Sequence, residues 1–174
     1  MRAAVLALAL TLPALPAAAA MPPDLRFASI DGGEIALDAL RGHPVLVVNT
    51  ASLCAFTPQY DDLQALSDRY APRGLTVLAV PSNDFRQELA SGDEVKDFCA
   101  VNFDHTIPMT EISHVTGAAA HPFYRWLSQD HGVTPGWNFH KVLIGPEGEL
   151  VQSWGSAVSP TSAAITDEIE ALLP

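Results

Sequence analysis

The sequence predicts an α/β domain with a central mixed sheet flanked by helices and preceded by a short hairpin. Three observations predict it. Val45–Asn49 (VLVVN) and Leu75–Val80 (LTVLAV) are continuous apolar runs of strand length, as buried central strands are. A helical apolar pattern lies between them, which makes a βαβ unit with a parallel pair. Two further apolar runs near the C-terminus are joined by Pro146-Glu147-Gly148-Glu149, a hairpin turn.

The elements follow in order. Residues 25–30 (LRFASI) and 34–36 flank Asp31-Gly32-Gly33, a turn signal, and read as a hairpin. After the first buried strand, Thr57-Pro58 reads as an N-cap and first helical residue. Tyr60, Leu63, Leu66 and Tyr70 then recur at helical spacing, so residues 58–71 form an amphipathic helix ended by Arg73-Gly74. The second buried strand leads into residues 81–92, polar and turn-like. Residues 93–101 read as a short helix with Val95, Phe98 and Cys99 on one side, and residues 122–129 as another, capped by His121. Strands over 141–145 and 150–154 follow. Ser159-Pro160 opens a last helix with Ile165, Ile169, Leu172 and Leu173 as its buried stripe. Parallel β/α first and an antiparallel hairpin plus helix last is the thioredoxin-like order.

The chain has 174 residues, of which 48% are apolar, enough for one core. Acidic residues number 20 against 9 Lys plus Arg, for a net charge of −11. That excludes a nucleic-acid binder or a protein drawn to anionic membranes, since both need a basic surface. Two cysteines exclude a multi-disulfide scaffold and a Cys-rich zinc module. His43, His105, His114, His121, His131 and His140 lack metal-type spacing, so no metal and no cofactor is expected.

Residues 1–20 (MRAAVLALALTLPALPAAAA) read as a cleaved secretory signal peptide. Arg2 is the positive start, the run to Leu15 is apolar, and Ala18 and Ala20 form an A-x-A site. Pro13 and Pro16 break the run, which falls short of the ~20 apolar residues a membrane span needs. Residues 21–174 are then a single domain, exported and expected in the periplasm, where a cysteine pair can persist oxidised.

Cys54 lies after a buried strand and just before a helix N-terminus. Unsatisfied N–H groups and the positive end of the helix dipole favour a thiolate there. The alternative is a buried structural thiol, the commoner fate of cysteine. Thr57 three residues on excludes a C-x-x-C dithiol, and Pro58 excludes C-x-x-x-C. Ala51 stands where a peroxiredoxin has Thr or Ser.

The string Asn49-Thr50-Ala51-Ser52-Leu53-Cys54-Ala55-Phe56-Thr57-Pro58-Gln59-Tyr60, followed by Leu63, resembles the catalytic segment of glutathione peroxidases. Residues 80–85 (VPSNDF) are similar to that family's F-P-C-N-Q-F block, with Ser82 in place of its Cys. Gly117 and His121-Pro122-Phe123-Tyr124 resemble its G…H-P-L-Y segment. Trp137-Asn138-Phe139 with Lys141 matches W-N-F-x-K-F. The blocks run in family order over nearly all of the chain beyond the leader.

The resemblance implies a peroxidase in which Cys54 attacks a peroxide oxygen and becomes a sulfenic acid. Trp137 and Asn138 match two of the family's hydrogen-bond donors around that sulfur. Gln87 is the choice for the third, although the chain is one residue short of the family spacing there, and Ala55 replaces a usual Gly. Taken alone, Trp137 reads as core packing, Asn138 as a turn or cap, and Gln87 as a solvated loop residue. Cys99 resembles the resolving cysteine of the non-selenium, thioredoxin-dependent branch, which forms an intramolecular disulfide with the first. A permanent structural disulfide and a buried apolar thiol are its alternatives.

Few cations stand near these motifs, Arg86 and Arg125 being the nearest, and the chain is acidic. Both facts favour an exported thioredoxin-like protein over glutathione as the reductant. The short segment 128–136 resembles the monomeric branch of the family. The competing reading of the whole chain is a non-catalytic thioredoxin-like module with a static disulfide.

Overall fold

The computed structural model describes residues 20–104 and 106–174. Apart from Ala20, the residues read as a signal peptide lie outside the described residues, as does His105. The element order is β1 (Arg26–Ala28), β2 (Glu34–Ala36), β3 (Val45–Thr50), α1 (Gln59–Tyr70), β4 (Thr76–Pro81), α2 (Gly92–Phe103), α3 (Pro122–His131), β5 (Lys141–Ile144), β6 (Leu150–Trp154) and α4 (Ala163–Leu172). β1 and β2 pair alone as an antiparallel hairpin, and the main sheet has the order β4-β3-β5-β6. β3 and β4 are parallel, β5 runs antiparallel to β3, and β6 antiparallel to β5. The thioredoxin-like arrangement read from the sequence is the one observed.

Strand alternation divides the core between the two faces of this sheet. Leu46 and Val48 of β3, Val77 and Ala79 of β4 and Leu143 of β5 pack with α1, α2 and α4. Val45, Val47, Leu78, Val80, Val142 and Ile144 pack on the other face with α3 and the hairpin. All six residues of β3 are buried, which explains its unbroken apolar run. Each buried Val or Leu stabilises by ~1.5–3 kcal/mol over its exposed state.

Two helix starts differ from the sequence reading. Thr57 does not cap α1. Its hydroxyl accepts from the Cys54 amide (3.0 Å) and donates to the Ala51 carbonyl (2.8 Å), closing the turn that carries the cysteine. Successive short turns from Cys54 to Asp61 bring the chain into α1, so Pro58 occupies the cap position without a side-chain bond. Ser159-Pro160 does not open α4 either; the cap position is Ser162. Ser159 Oγ instead donates to Asp62 Oδ2 of α1 (2.9 Å). The hydroxyl that local preference assigns to a helix is taken by the preceding turn at Thr57 and by a distant carboxylate at Ser159.

His121 does cap α3. Its Nδ1 accepts from the Phe123 amide (3.2 Å) and its Nε2 donates to the Arg26 carbonyl (2.8 Å), while its ring stacks on Phe27 at 3.8 Å. Burial lowers its pKa, consistent with a neutral ring that accepts at one nitrogen.

Candidate active site

The site is built where β3 ends and α1 begins. Cys54 is buried on the loop between them. Its Sγ accepts from the Phe56 backbone N–H at 3.4 Å, so an oriented donor already faces the sulfur. Thr57 holds the shape of this turn from both sides.

A second loop lies against the first. The Leu53 amide donates to the Gln87 carbonyl (2.9 Å), which places Gln87 beside the residue preceding Cys54. The Gln87 side chain in turn accepts from Asn138 Nδ2 at 2.9 Å. With its Oε1 so occupied, Gln87 has its Nε2 as the side chain's donor end. The one-residue shortening of this loop therefore leaves Gln87 next to both the cysteine turn and Asn138. Arg86 absorbs the tight turn with a φ of 59°.

The third loop carries Trp137 and Asn138. Asn49 of β3 fixes it: its Nδ2 donates to the Trp137 carbonyl (3.1 Å) and its Oδ1 accepts from the His140 amide (3.2 Å). Phe139 is left at a φ of 60°, unusual for a side chain of that size, and its amide donates to the Asn49 carbonyl. Asn138 is fully buried, whereas Trp137 is 43% exposed and packs on Phe85 at 5.3 Å between ring centroids. The Trp137 indole is thus not a core residue, while Asn138 is. Leu53, next to Cys54, is 60% exposed.

The sequence reading passed over Glu88. Its buried carboxylate accepts from the Ser52 amide (3.0 Å) and the Leu89 amide (2.8 Å), and its own amide donates to Asn83 Oδ1. It therefore clamps the cysteine loop two residues before Cys54. Burial raises its pKa, partly offset by the hydrogen bonds at Ser52 and Leu89. The available signal was a glutamate inside a turn segment close to the site residues, and charge in a loop is ordinarily solvated.

Cys99 is buried on α2, and neither cysteine is in a disulfide. Both thiols border the same core cluster, with Tyr60 and Phe139. Burial pushes the Cys99 thiol up to about 11; a hydrogen bond with Tyr60 works against this and the Glu88 carboxylate adds to it. α2 is capped by Ser91, whose Oγ accepts from the Glu94 amide, while Glu94 accepts from the Ala90 amide. Lys96 ties the helix to Asp31 in the hairpin turn. Of the two cations read as nearest the site, Arg86 is exposed, and Arg125 Nη1 donates to the Ala120 carbonyl.

Among the described residues, no group of three or more His, Cys, Asp or Glu side chains is placed to hold a metal ion. No described helix is long and apolar enough to cross a membrane.

The fold and the cysteine turn at the head of α1 define a thioredoxin-like protein with a candidate thiol site. Comparison with known proteins narrows it. The glutathione peroxidase family model matches residues 24–128. The chain is 39% identical over 159 residues to a hydroperoxy fatty acid reductase of Synechocystis, covering 83% of this chain and 91% of that one. It is 40% identical over 149 residues to a glutathione peroxidase homolog of Halalkalibacterium halodurans, covering 83% and 94%. The crystal structure of Trgpx in apo form superposes with a TM-score of 0.65 at 33% identity, over 86% of this chain and 93% of that one. The chain belongs to the glutathione peroxidase family and is a peroxidase.

Proposed function

We propose that this peroxidase reduces hydrogen peroxide and organic hydroperoxides through a two-thiol cycle, with Cys54 as the peroxidatic and Cys99 as the resolving residue. The observation that carries the reading is the placing of Cys54 on a turn whose sulfur meets a backbone N–H, with the Gln87–Asn138 pair bonded to the adjoining residue. Oriented donors around a developing anion act strongly in a partly dry site. Trp137, Asn138 and Gln87 are the donors assigned to the sulfur and to the departing oxygen.

In the first step the Cys54 thiolate attacks one peroxide oxygen. The O–O bond breaks, and the leaving alkoxide or hydroxide takes a proton to become an alcohol or water. Cys54 is left as a sulfenic acid. In the second step the Cys99 sulfur attacks the Cys54 sulfur. An S–S bond forms, the S–O bond breaks, and the hydroxyl leaves with the Cys99 proton as water. Cys99 is held on α2 as a protonated thiol, so this step needs the helix to open locally around it. In the third step a dithiol reductant opens the disulfide and restores both thiols.

The reductant is assigned as an exported thioredoxin-like protein. The net charge of −11 and the shortage of cations at the site support it, because glutathione brings two carboxylates. The leader read over residues 1–20 supports export of residues 21–174 to the periplasm, and the short segment 128–136 supports a monomer. The exposed Leu53 and Trp137 beside the site give an apolar rim suited to organic hydroperoxides, and one relative is a hydroperoxy fatty acid reductase.

The test is mass spectrometry of the reduced protein after one equivalent of hydrogen peroxide, beside Cys54→Ser and Cys99→Ser. The expected result is a rapid Cys54–Cys99 disulfide in the parent and sulfenic or over-oxidised Cys54 in Cys99→Ser. A Cys54 that stays a thiol for minutes under peroxide would overturn the reading.

A further inference from the structure

Lys141 opens β5 and is fully buried, an uncommon place for an ammonium. Its Nζ makes three hydrogen bonds, to Gln59 Oε1, to the Ser156 carbonyl (3.1 Å) and to the Val158 carbonyl (2.7 Å). All three acceptors are neutral. Three protons thus meet three oxygens, which satisfies an ammonium completely and an amine only in part. Gln59 is the first residue of α1, and its Nε2 also donates to the Ser156 carbonyl (2.8 Å). Ser156 then donates through its Oγ to the Asn138 carbonyl at 2.6 Å. From Asn138 the path continues to Gln87 and to the Leu53 amide. A chain of hydrogen-bonded residues, linked through the covalent frames of Ser156, Asn138 and Gln87, therefore joins the buried ammonium to the residue beside Cys54.

We propose that Lys141 is a positioning residue for peroxide reduction: its ammonium binds the head of α1 to the 155–158 loop and, through Ser156, sets the main chain at Asn138. This rests on the peroxidase reading of Cys54 above. Lys141 touches neither the sulfur nor the peroxide in this scheme and acts only through Ser156 and Gln59.

The charged surroundings make the device sensitive to alkali. Burial lowers the Lys141 ammonium to about 8, and Asp62 of α1 pulls the other way. Asp62 is itself engaged by the hydroxyls of Ser159 and Thr161. The neighbouring His140 has its own pKa lowered by burial and by Lys141, so it stays neutral through this range. The residues paired with Lys141 on the flanking strands, Val48 and Trp154, are uncharged. When Lys141 loses its proton, one of its three bonds fails and a nitrogen lone pair faces a carbonyl. The tie on Ser156, and with it Asn138, slackens.

The experiment follows the rate of Cys54 oxidation by hydrogen peroxide from about pH 6 to about pH 10, in the parent, Lys141→Met and Gln59→Glu. The parent rate is expected to fall above a midpoint near 8. Lys141→Met should be slower by ~10–100-fold at neutral pH, as small displacements of site groups produce, and should lack this fall. Gln59→Glu should move the fall to higher pH, because a carboxylate beside the ammonium holds its proton. In ¹⁵N-labelled parent protein the Asn138 side-chain amide should shift with the same midpoint. Retention by Lys141→Met of the parent's rate and pH profile would overturn the inference. So would an Asn138 amide that does not move between pH 7 and about 9.5. A parent that resists peroxide at every pH would sink the peroxidase reading, and the Asn138 titration would then decide the positioning alone. That titration also stands if Lys141→Met fails to fold.

Discussion

Asn138 donates its side-chain amide to Gln87 at 2.9 Å, joining two loops whose residues are 51 positions apart. The bond makes one unit of two groups that the sequence presents in separate segments. Groups acting as a unit are non-additive on removal. Gln87→Ala and Asn138→Ala are each expected to slow Cys54 oxidation by ~10²–10³-fold, in the range of a lost oxyanion donor. The double variant should be little slower than either one. Stopped-flow oxidation by hydrogen peroxide checks this, and fully additive losses would show that the pair does not act together.

In the proposed cycle the Ser91 cap would govern how readily α2 opens. Ser91→Ala should weaken the helix by ~1 kcal/mol, which raises the opened population ~5-fold. Disulfide formation is then expected to quicken by the same factor, while sulfenic acid formation at Cys54 keeps its rate. Quenched-flow mass spectrometry separates the two steps. A change in the first step with none in the second would contradict the gating role of α2.

Glu88 has its folded pKa raised, mainly by burial. The folded state therefore favours its protonated form. Its contribution to stability is present below the unfolded pKa and is lost as pH rises through the folded one. Glu88→Gln keeps an oxygen for the Ser52 and Leu89 amides and cannot ionise. Urea unfolding should show the variant gaining on the parent between pH 4 and pH 7. Destabilisation that grows over that interval would mean that the negative charge itself holds the loop.

Lys141 has the opposite sign. Its folded pKa of about 8 lies below the ordinary lysine value of 10.5, so the folded state binds fewer protons between these values. Stability attributable to this group rises with pH across that window. The parent is thus expected to gain resistance to urea from about pH 8 upward, relative to Lys141→Met, while its peroxide rate declines. If stability and rate fall together there, the decline reflects unfolding and not the loss of one bond.

Much of the architecture was legible in the apolar pattern. The six-residue burial of β3 and the four buried positions of α1 follow from runs and spacing that only one face or a fully covered strand explains. The cysteine turn and the Trp137-Asn138 loop were legible through their motifs. What escaped were hydroxyls and charges whose partners the folded backbone supplies, near or far along the chain. Thr57 looks like a helix cap because the three residues around it fit one, yet its partners are the turn it closes. Glu88 and Lys141 look like solvated charges, and only the folded chain brings them amides and carbonyls. Local preference weighs nearest neighbours and is silent about bonds that the fold supplies.

The two faces of the sheet have separate cores, and both sulfurs border the one shared by α1, α2 and α4. The two-thiol cycle proposed above would therefore work on one half of the molecule. The layer of Phe27, Phe123, Trp126 and Leu127 lies on the face of the sheet opposite to both sulfurs. In that cycle a protein that partly comes apart to finish its chemistry would have, across a single sheet, a resting half from which the working half can rebuild itself.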